Sequence, residues 1–416
     1  MHYHVWHDER FNDMPPFGTV DLNIPVLYPD LGGDPWESET RTFQSLRNDM
    51  AKLRADGAAK GIVDDNVESV GFSTELRALW ALKIGKGEDH KILFTGCHHA
   101  REWISVEVPY LIAKYLIDTY KDTPNTDQEK RIKHLLDNRQ IWFVPMVNPD
   151  GHQFTITNNR MWRSNRNCYV YPKTTIIAPQ LSGGPPRHIK LKPPAGKRVA
   201  EYCGVDINRN YPTADGGKEA WCEKGVTTSR DPRDTGIWAG PFPGSEKETS
   251  VIASLVAEQQ FRASITYHNY SQLLLFPHGA AAKEDSFLQD VGNGMSHLIN
   301  ANGNPYTYEA IDKMYPTTGE LENLCYEKLP GRPTFTVELP PLKDAPKCCS
   351  FSGLPEDKIE PTFKENLGAA LALINSAGFD APPKGVKIAW SSKTKVAQVV
   401  RNCWKVFEGW KPPSVA

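Results

Sequence analysis

No apolar stretch of this chain reaches the 18 or so residues that a transmembrane helix needs. The opening MHYHVWHDERF also lacks the apolar core of a secretory signal. An excess of charge of either sign is missing too. Lys and Arg number 48 against 50 Asp and Glu, a net charge of -2, which gives no reason to expect nucleic acid or an anionic membrane as a partner. The expectation is a soluble protein, either intracellular or secreted with its targeting segment outside this sequence. There is no internal repeat. The eight cysteines do not settle the redox compartment. Cys168, Cys203 and Cys222 lie in connections rich in Gly and Pro, where a disulfide would be useful, whereas Cys348 and Cys349 are adjacent and could hardly share one partner.

What is present is ordinary globular material. Apolar residues make up 39% and charged residues 24% of the chain, enough for a large core. A length of 416 residues allows two or three domains or one large α/β domain. Residues 1–40 hold many Pro, Asp and Gly without a sustained period and read as an irregular arm. His2, His4 and His7 within it read as part of a solvated tail, since a mobile chain end rarely fixes ligands in one geometry. The basic, proline-rich RHIKLKPPAGKR at 187–198 reads as a solvated loop.

Apolar residues at helical spacing predict a helix over Thr42–Leu53 (Phe43, Leu46, Met50, Leu53) and another over Trp103–Lys121. Further helices are expected at Asp127–Asn138, Ser245–Phe261, Asp285–Asn302 and Pro361–Ala377, the last closed by Gly378. Ala78–Ile84 and Lys91–Cys97 read as strands joined by a turn. Gln140–Val147 reads as a nearly continuous apolar strand ended by the turn sequence NPDG. Ala263–Tyr267 and Thr334–Leu339 look like two more central strands. Strands alternating with helices predict an α/β fold, with a mixed, mainly parallel central sheet and helices on both faces. The stretches 167–203 and 213–240, rich in Pro, Gly and charge, read as long loop insertions. Residues 380–416 read as an appendage on the surface.

The chemistry gathers where the predicted strands end, which is where ligands collect in open α/β sheets. His99-Ala-Arg-Glu102-Trp follows Lys91–Cys97 and sets an imidazole and a carboxylate three residues apart. By itself that spacing is weak, because Glu102 could equally be a favourable acid in the first turn of the next helix. Asn148 follows the next strand, with Trp162-Arg163 further on. His268 follows Ala263–Tyr267, and Glu338 lies near the end of Thr334–Leu339. His99, Glu102 and His268 make a set of two imidazoles and one carboxylate, which suits zinc and leaves a position open for water. Glu338 could take and return a proton, and Arg163 could stabilise a developing oxyanion. Taken alone, His268 reads more plainly as a core hydrogen-bonded histidine, whereas a buried ion pair, the plain alternative for Glu338, is less common for a residue flanked by Val337 and Leu339.

The runs HHAREWIS (98–105), VNPDG (147–151), NRMWRSNR (159–166), GVDINRNY (204–211), YHNYSQLLLFPHG (267–279), MYPTTG (314–319) and FTVEL (335–339) resemble the zinc metallocarboxypeptidases, the family of pancreatic carboxypeptidases A and B. They occur in the family's order and cover about residues 70–377. The resemblance implies one zinc ion held by His99, Glu102 and His268, with Glu338 as general base and acid. It implies that Arg163 polarises the scissile carbonyl, and that Asn208 and Arg209 clamp the free C-terminal carboxylate of a peptide or protein. Tyr315 would close over that group, and Arg101 and Tyr270 would be outer substrate contacts. By residue type alone, Asn208-Arg-Asn-Tyr reads as a turn, and His98 matches no ligand.

The resemblance further implies a catalytic domain over 70–379, preceded by an arm and first helix over 1–69 that is too short and irregular for the family's propeptide. Two departures stand out. Glu338 is followed by Leu339-Pro340-Pro341 where relatives commonly carry an arginine, and the 167–203 connection is longer than in the digestive enzymes. Counting seven residues on from Tyr315 reaches Glu322 at the base of the side-chain pocket, which would favour C-terminal Lys or Arg. A one-residue shift would place Leu321 there and favour apolar ends. The competing functions are hydrolysis of another amide, which Asn208, Arg209 and Tyr315 argue against, and an inactive peptide-binding relative, which would be expected to have lost a ligand or the base. The oligomeric state is left open, and a monomer is compatible with the sequence.

Overall fold

The computed structural model describes residues 41–378 apart from 65–66, 172–175, 179–186, 190–199, 214–227, 230–233, 235, 304, 329–330 and 342–355. The arm with its histidines, most of both insertions, the appendage, and Cys222, Cys348, Cys349 and Cys403 lie outside the described residues.

In chain order the first elements are α1 (Phe43–Ala59), β1 (Ser69–Phe72), β2 (Ala78–Trp80), β3 (Leu82–Ile84), β4 (Lys91–Gly96) and α2 (Ile104–Thr119). Next come α3 (Asp127–Asn138), β5 (Gln140–Val144), α4 (Pro149–Thr157), β6 (Cys168–Tyr171), β7 (Ile176–Ala178), β8 (Arg187–Ile189) and β9 (Ala200–Cys203). After a short 3₁₀ turn at Ile207–Arg209 follow α5 (Lys247–Gln259), β10 (Ala263–Asn269), β11 (Leu273–Phe276), α6 (Ala280–Glu284) and α7 (Ser286–Asn302). The last are β12 (Thr307–Ala310), α8 (Ile311–Met314), α9 (Leu321–Lys328), β13 (Thr334–Leu339) and α10 (Glu356–Ser376).

A seven-stranded sheet in the order β12-β11-β13-β10-β4-β5-β3 forms the centre. The pairs β12–β11, β13–β10, β10–β4 and β4–β5 run parallel, while β11–β13 and β5–β3 are antiparallel. This is the expected mixed, mainly parallel sheet. Alternation along its buried strands supplies two cores. Ile92 and Phe94 of β4 and Ile141 and Phe143 of β5 face one core with residues of α1, α2, α3, α7 and α10. Leu93, Trp142 and Val144 face the other with Ile252, Leu255 and Val256 of α5, Leu321 and Leu324 of α9, and Ile207 and Tyr211. The helices therefore cover both faces. Leu46, Met50 and Leu53 of α1 belong to the first core, so this helix is rooted in the same body as the sheet.

Local signals set the helix starts. Thr42 caps α1 by accepting from Ser45 N, and Thr126 with Glu129 forms a reciprocal capping box at α3. NPDG, read above as a turn, instead starts α4: Asn148 Oδ1 accepts from Gly151 N at 3.0 Å and Pro149 occupies the first turn, where its missing N–H is no loss. The expected strand over 78–84 is interrupted at Ala81. Its first half, β2, pairs with β1, and its second half, β3, lies beyond β5 rather than beside β4. Strands β11 and β12, which build one edge of the sheet, were not anticipated. The insertion at 167–203 contains two short antiparallel pairs, β6–β9 and β7–β8, and Cys168 is joined to Cys203 by a disulfide. Among the described residues no helix is long and apolar enough to cross a membrane.

Candidate active site

Register explains why distant residues meet. Tyr267 of β10 lies opposite Gly96 of β4 on one side and Val337 of β13 on the other, so these parallel strands end together. His268 therefore sits beside Glu338 at the sheet edge where the loop after β4 carries His99 and Glu102. That loop turns sharply into α2. A Cβ on Gly96 would lie 2.0 Å from the Ser105 carbonyl oxygen, so only glycine lets the strand end approach the helix this closely.

His99, Glu102 and His268 are buried and bring their ligand atoms within 4.8 Å of one another. His99 Nδ1 lies 2.7 Å from Glu102 Oε1, and His268 Nδ1 lies 3.0 Å from Glu102 Oε2 and 3.1 Å from His99 Nδ1. Two imidazole lone pairs and a carboxylate cannot face one another at these distances unless a proton or a cation lies among them. Two nitrogens, one carboxylate and burial match the donor set of a zinc site with an open position. Burial works against charge on Glu102, but His99, with a hydrogen bond and charge from His268, outweighs it and keeps the carboxyl well below its ordinary range.

Asp206 holds this set from behind. Its Oδ1 accepts from His99 Nε2 at 3.1 Å and from Asn208 N at 3.0 Å. With Nε2 carrying the proton, His99 keeps its Nδ1 lone pair for a metal, which is how a second carboxylate fixes a ligating histidine. Asp206 Oδ2 accepts from Arg163 Nε at 3.0 Å and Nη2 at 2.9 Å, and Arg163 Nη1 stands 3.7 Å from Glu102 Oε1. Burial opposes the charge on Asp206, while Arg163, His99 and Arg209 hold its carboxyl well below the usual range. Asp206 lies inside the GVDINRNY run, but no role was assigned to it from sequence. The available signal was an acid directly ahead of the Asn-Arg-Asn turn.

A cavity of about 490 Å³ adjoins the site through Arg163, lined by Arg101, Trp162, Arg163, Arg209, Ile237 and Tyr315 among others. Arg209 is buried, donates to the Asn208 carbonyl at 2.7 Å, stands 3.8 Å from Glu320 Oε1 and has its guanidinium 5.8 Å from the centre of the Tyr315 ring. Asn208 is buried with its Oδ1 accepting from Leu321 N at 3.2 Å. Arg101 donates to the Met161 carbonyl at 3.4 Å, and Tyr270, half-buried, directly follows β10. Gly319 passes beside the Asn208-Arg209 turn with φ +83°, where a Cβ would meet the Arg209 carbonyl oxygen at 2.2 Å.

Three acids here, Glu338, Glu322 and Glu320, have carboxyls displaced upward, each first by burial. Burial and then Glu102 push Glu338 up to about 8, against the pull of Arg163 and Arg209. Glu322, in the first turn of α9, is pushed up to about 8 by burial and by Glu320, against a hydrogen bond from Thr336 and the charge of Arg209. The residues lining the cavity do not include it. Glu320, wholly buried and beside Arg209, was not singled out by sequence.

Residues 65–369 match the zinc carboxypeptidase family, and the chain belongs to it. It is similar to carboxypeptidase B from Rattus norvegicus, 30% identical over 318 residues that cover 74% of this chain and 64% of that protein. The chain thus spans just under two thirds of that relative's length. Metallocarboxypeptidase A from Trichophyton rubrum is 29% identical over 383 residues, covering 85% of this chain and 79% of that protein. Bovine thrombin-activatable fibrinolysis inhibitor, solved in complex with tick carboxypeptidase inhibitor, shares the fold with a TM-score of 0.60 at 23% identity, covering 82% of this chain and 98% of that one.

Proposed function

We propose that this chain is a zinc-dependent metallocarboxypeptidase that hydrolyses the last peptide bond of peptides and proteins. The observation that carries the reading is the meeting of His99, Glu102 and His268 at one sheet edge, beside a cavity lined by Arg163 and Arg209. His99, Glu102 and His268 hold one zinc ion. When bound, the metal supplies a Lewis-acidic charge that polarises the scissile carbonyl and acidifies water. Glu338, opposite His268 in the sheet, takes a proton from the attacking water and delivers it to the leaving amine; a carboxyl raised toward neutrality suits both tasks.

Arg163 stabilises the oxyanion as it forms. Arg209, with Asn208, grips the substrate's terminal carboxylate by its planar fork. Only a chain end presents such a group, so the clamp confines cleavage to the last bond. Tyr315 closes over the bound end, and Arg101 and Tyr270 contact the substrate further out. The catalytic unit is assigned to 70–379, with α1 packed into its first core.

For the side-chain pocket the reading leans to basic C-terminal residues through Glu322. Its support is the buried carboxyl of Glu322, close enough to Arg209 to feel its charge, while Leu321 beside it packs into the second core. Apolar ends are the close second, should that core face the pocket.

The test is to incubate the purified protein with peptides ending in Lys, Arg, Leu or Phe, with and without a zinc chelator. Release of the terminal residue, lost with chelator and in Glu338→Ala, is expected, with Lys and Arg released faster. No release, or release indifferent to both treatments, would refute it.

A further inference from the structure

His98 belongs neither to the His99, Glu102 and His268 group nor to the residues lining the cavity, yet every polar atom of its side chain is engaged. It is wholly buried, with its ring on that of His268, the centroids 5.3 Å apart and the planes 21° from parallel. Its Nε2 shares a hydrogen bond with the Tyr211 hydroxyl at 2.8 Å, and its Nδ1 shares one with the Thr266 hydroxyl at 3.2 Å. Its carbonyl accepts from Asn148 Nδ2 at 3.0 Å, so the backbone is fixed as well. Tyr211 in turn ends the turn that carries Asn208 and Arg209. Its ring is buried in the second core, and its N–H donates to the Gly319 carbonyl at 3.0 Å. One imidazole is thus wedged between the His268 ring and the root of the Arg209 turn. An apolar side chain in its place would leave the hydroxyls of Tyr211 and Thr266 buried without this partner, and the His268 ring without its stack.

We infer that His98 is a positioning residue that sets the His268 ring for the metal and, through Tyr211, seats the Asn208-Arg209 turn, so that affinity for zinc and affinity for a terminal carboxylate depend on the same side chain. This rests on His268 and Arg209 having the roles given above.

Three variants test it: His98→Leu, His98→Gln and Tyr211→Phe. Zinc affinity is measured by chelator competition on the apoprotein. Peptide affinity is measured in the zinc-loaded Glu338→Gln background, which prevents turnover, with a labelled peptide bearing a free C-terminus and its amidated twin. His98→Leu is expected to weaken zinc binding about tenfold, as loss of a ligand's outer partner does. It is also expected to weaken the free-carboxylate peptide while leaving the amidated twin unchanged. His98→Gln, which keeps a donor and an acceptor, recovers part of both losses. Tyr211→Phe removes one hydroxyl and no packing, so it weakens both constants at the cost of a single buried hydrogen bond and carries the test alone if His98→Leu does not fold. If either constant stays at its wild-type value in the folded variants, the inference fails. A wild-type protein that binds no zinc, or does not tell free from amidated peptide, would overturn the site reading and this inference with it.

Discussion

Replacing Asp206 by Asn changes one atom and sets two demands against each other. The carboxylate is fully buried and accepts from His99 Nε2 on one oxygen and from Arg163 Nε and Nη2 on the other, all within 3.1 Å. The amide keeps the shape but turns one terminus into a donor. If the NH₂ faces Arg163, donor meets donor and the guanidinium loses its charge partner. If it faces His99, the imidazole must accept at Nε2, which moves its proton to Nδ1 and removes the lone pair a metal needs.

Loss of such a ligand-orienting partner weakens metal binding by about 10–100-fold, or ~1.4–2.8 kcal/mol. Stranding a buried charge costs about 3–5 kcal/mol of stability. The low end applies here, because Arg163 keeps the Gly236 carbonyl at 3.0 Å and Glu102 at 3.7 Å. Chelator competition on the apoprotein and urea unfolding read the two effects separately. A variant with wild-type zinc affinity and wild-type stability would refute the argument that Asp206 fixes the His99 tautomer and anchors Arg163.

Glu338→Gln is expected to lower kcat by about 10²–10⁴-fold while zinc affinity is retained, because only the proton-transferring group is lost; steady-state kinetics on the zinc-loaded protein check this. Gly319→Ala places a Cβ 2.2 Å from the Arg209 carbonyl at φ +83° and should destabilise the fold by about 1–3 kcal/mol and weaken peptide binding, read by urea unfolding and peptide titration. Glu248 is wholly buried and pushed up to about 7, first by burial and then by Asp150 and Glu246. A raised carboxyl favours the folded state only while protonated, so its contribution is full below pH ~4.5 and is lost as pH rises through 7, by at most about 3 kcal/mol. Unfolding of wild type and Glu248→Gln at pH 5 and pH 8 should show that decline flattened in the variant.

Much of the frame was legible because local chemistry and burial agreed. Asp127–Asn138 starts at a capping box and Thr334–Leu339 is buried along nearly its whole length, and both were read with their observed bounds. The misreadings have physical causes. NPDG has turn composition, yet Asn148 and Pro149 are equally good helix starters, and the helix won once Asn148 capped it. The stretch 78–84 is nearly continuous in apolar residues and reads as one strand, but each half found a different partner. Leu273–Phe276 carries too short an apolar run to announce a strand, and only pairing with β12 on one side and β13 on the other makes it one.

The sequence by itself determined the mainly parallel α/β frame, the family, and the residue types His99, Glu102, His268 and Glu338 at strand ends, because periodicity and short motifs are local properties of the chain. Only the tertiary structure decided how those groups are held. The pairs His99–Asp206 and His98–Tyr211 are separated by 107 and 113 positions and owe nothing to spacing. They exist because parallel strands in register end at one edge, and because the turn that bears Arg209 roots its Ile207 and Tyr211 in the core behind that edge. Burial there leaves each polar atom dependent on the partner that packing brings to it.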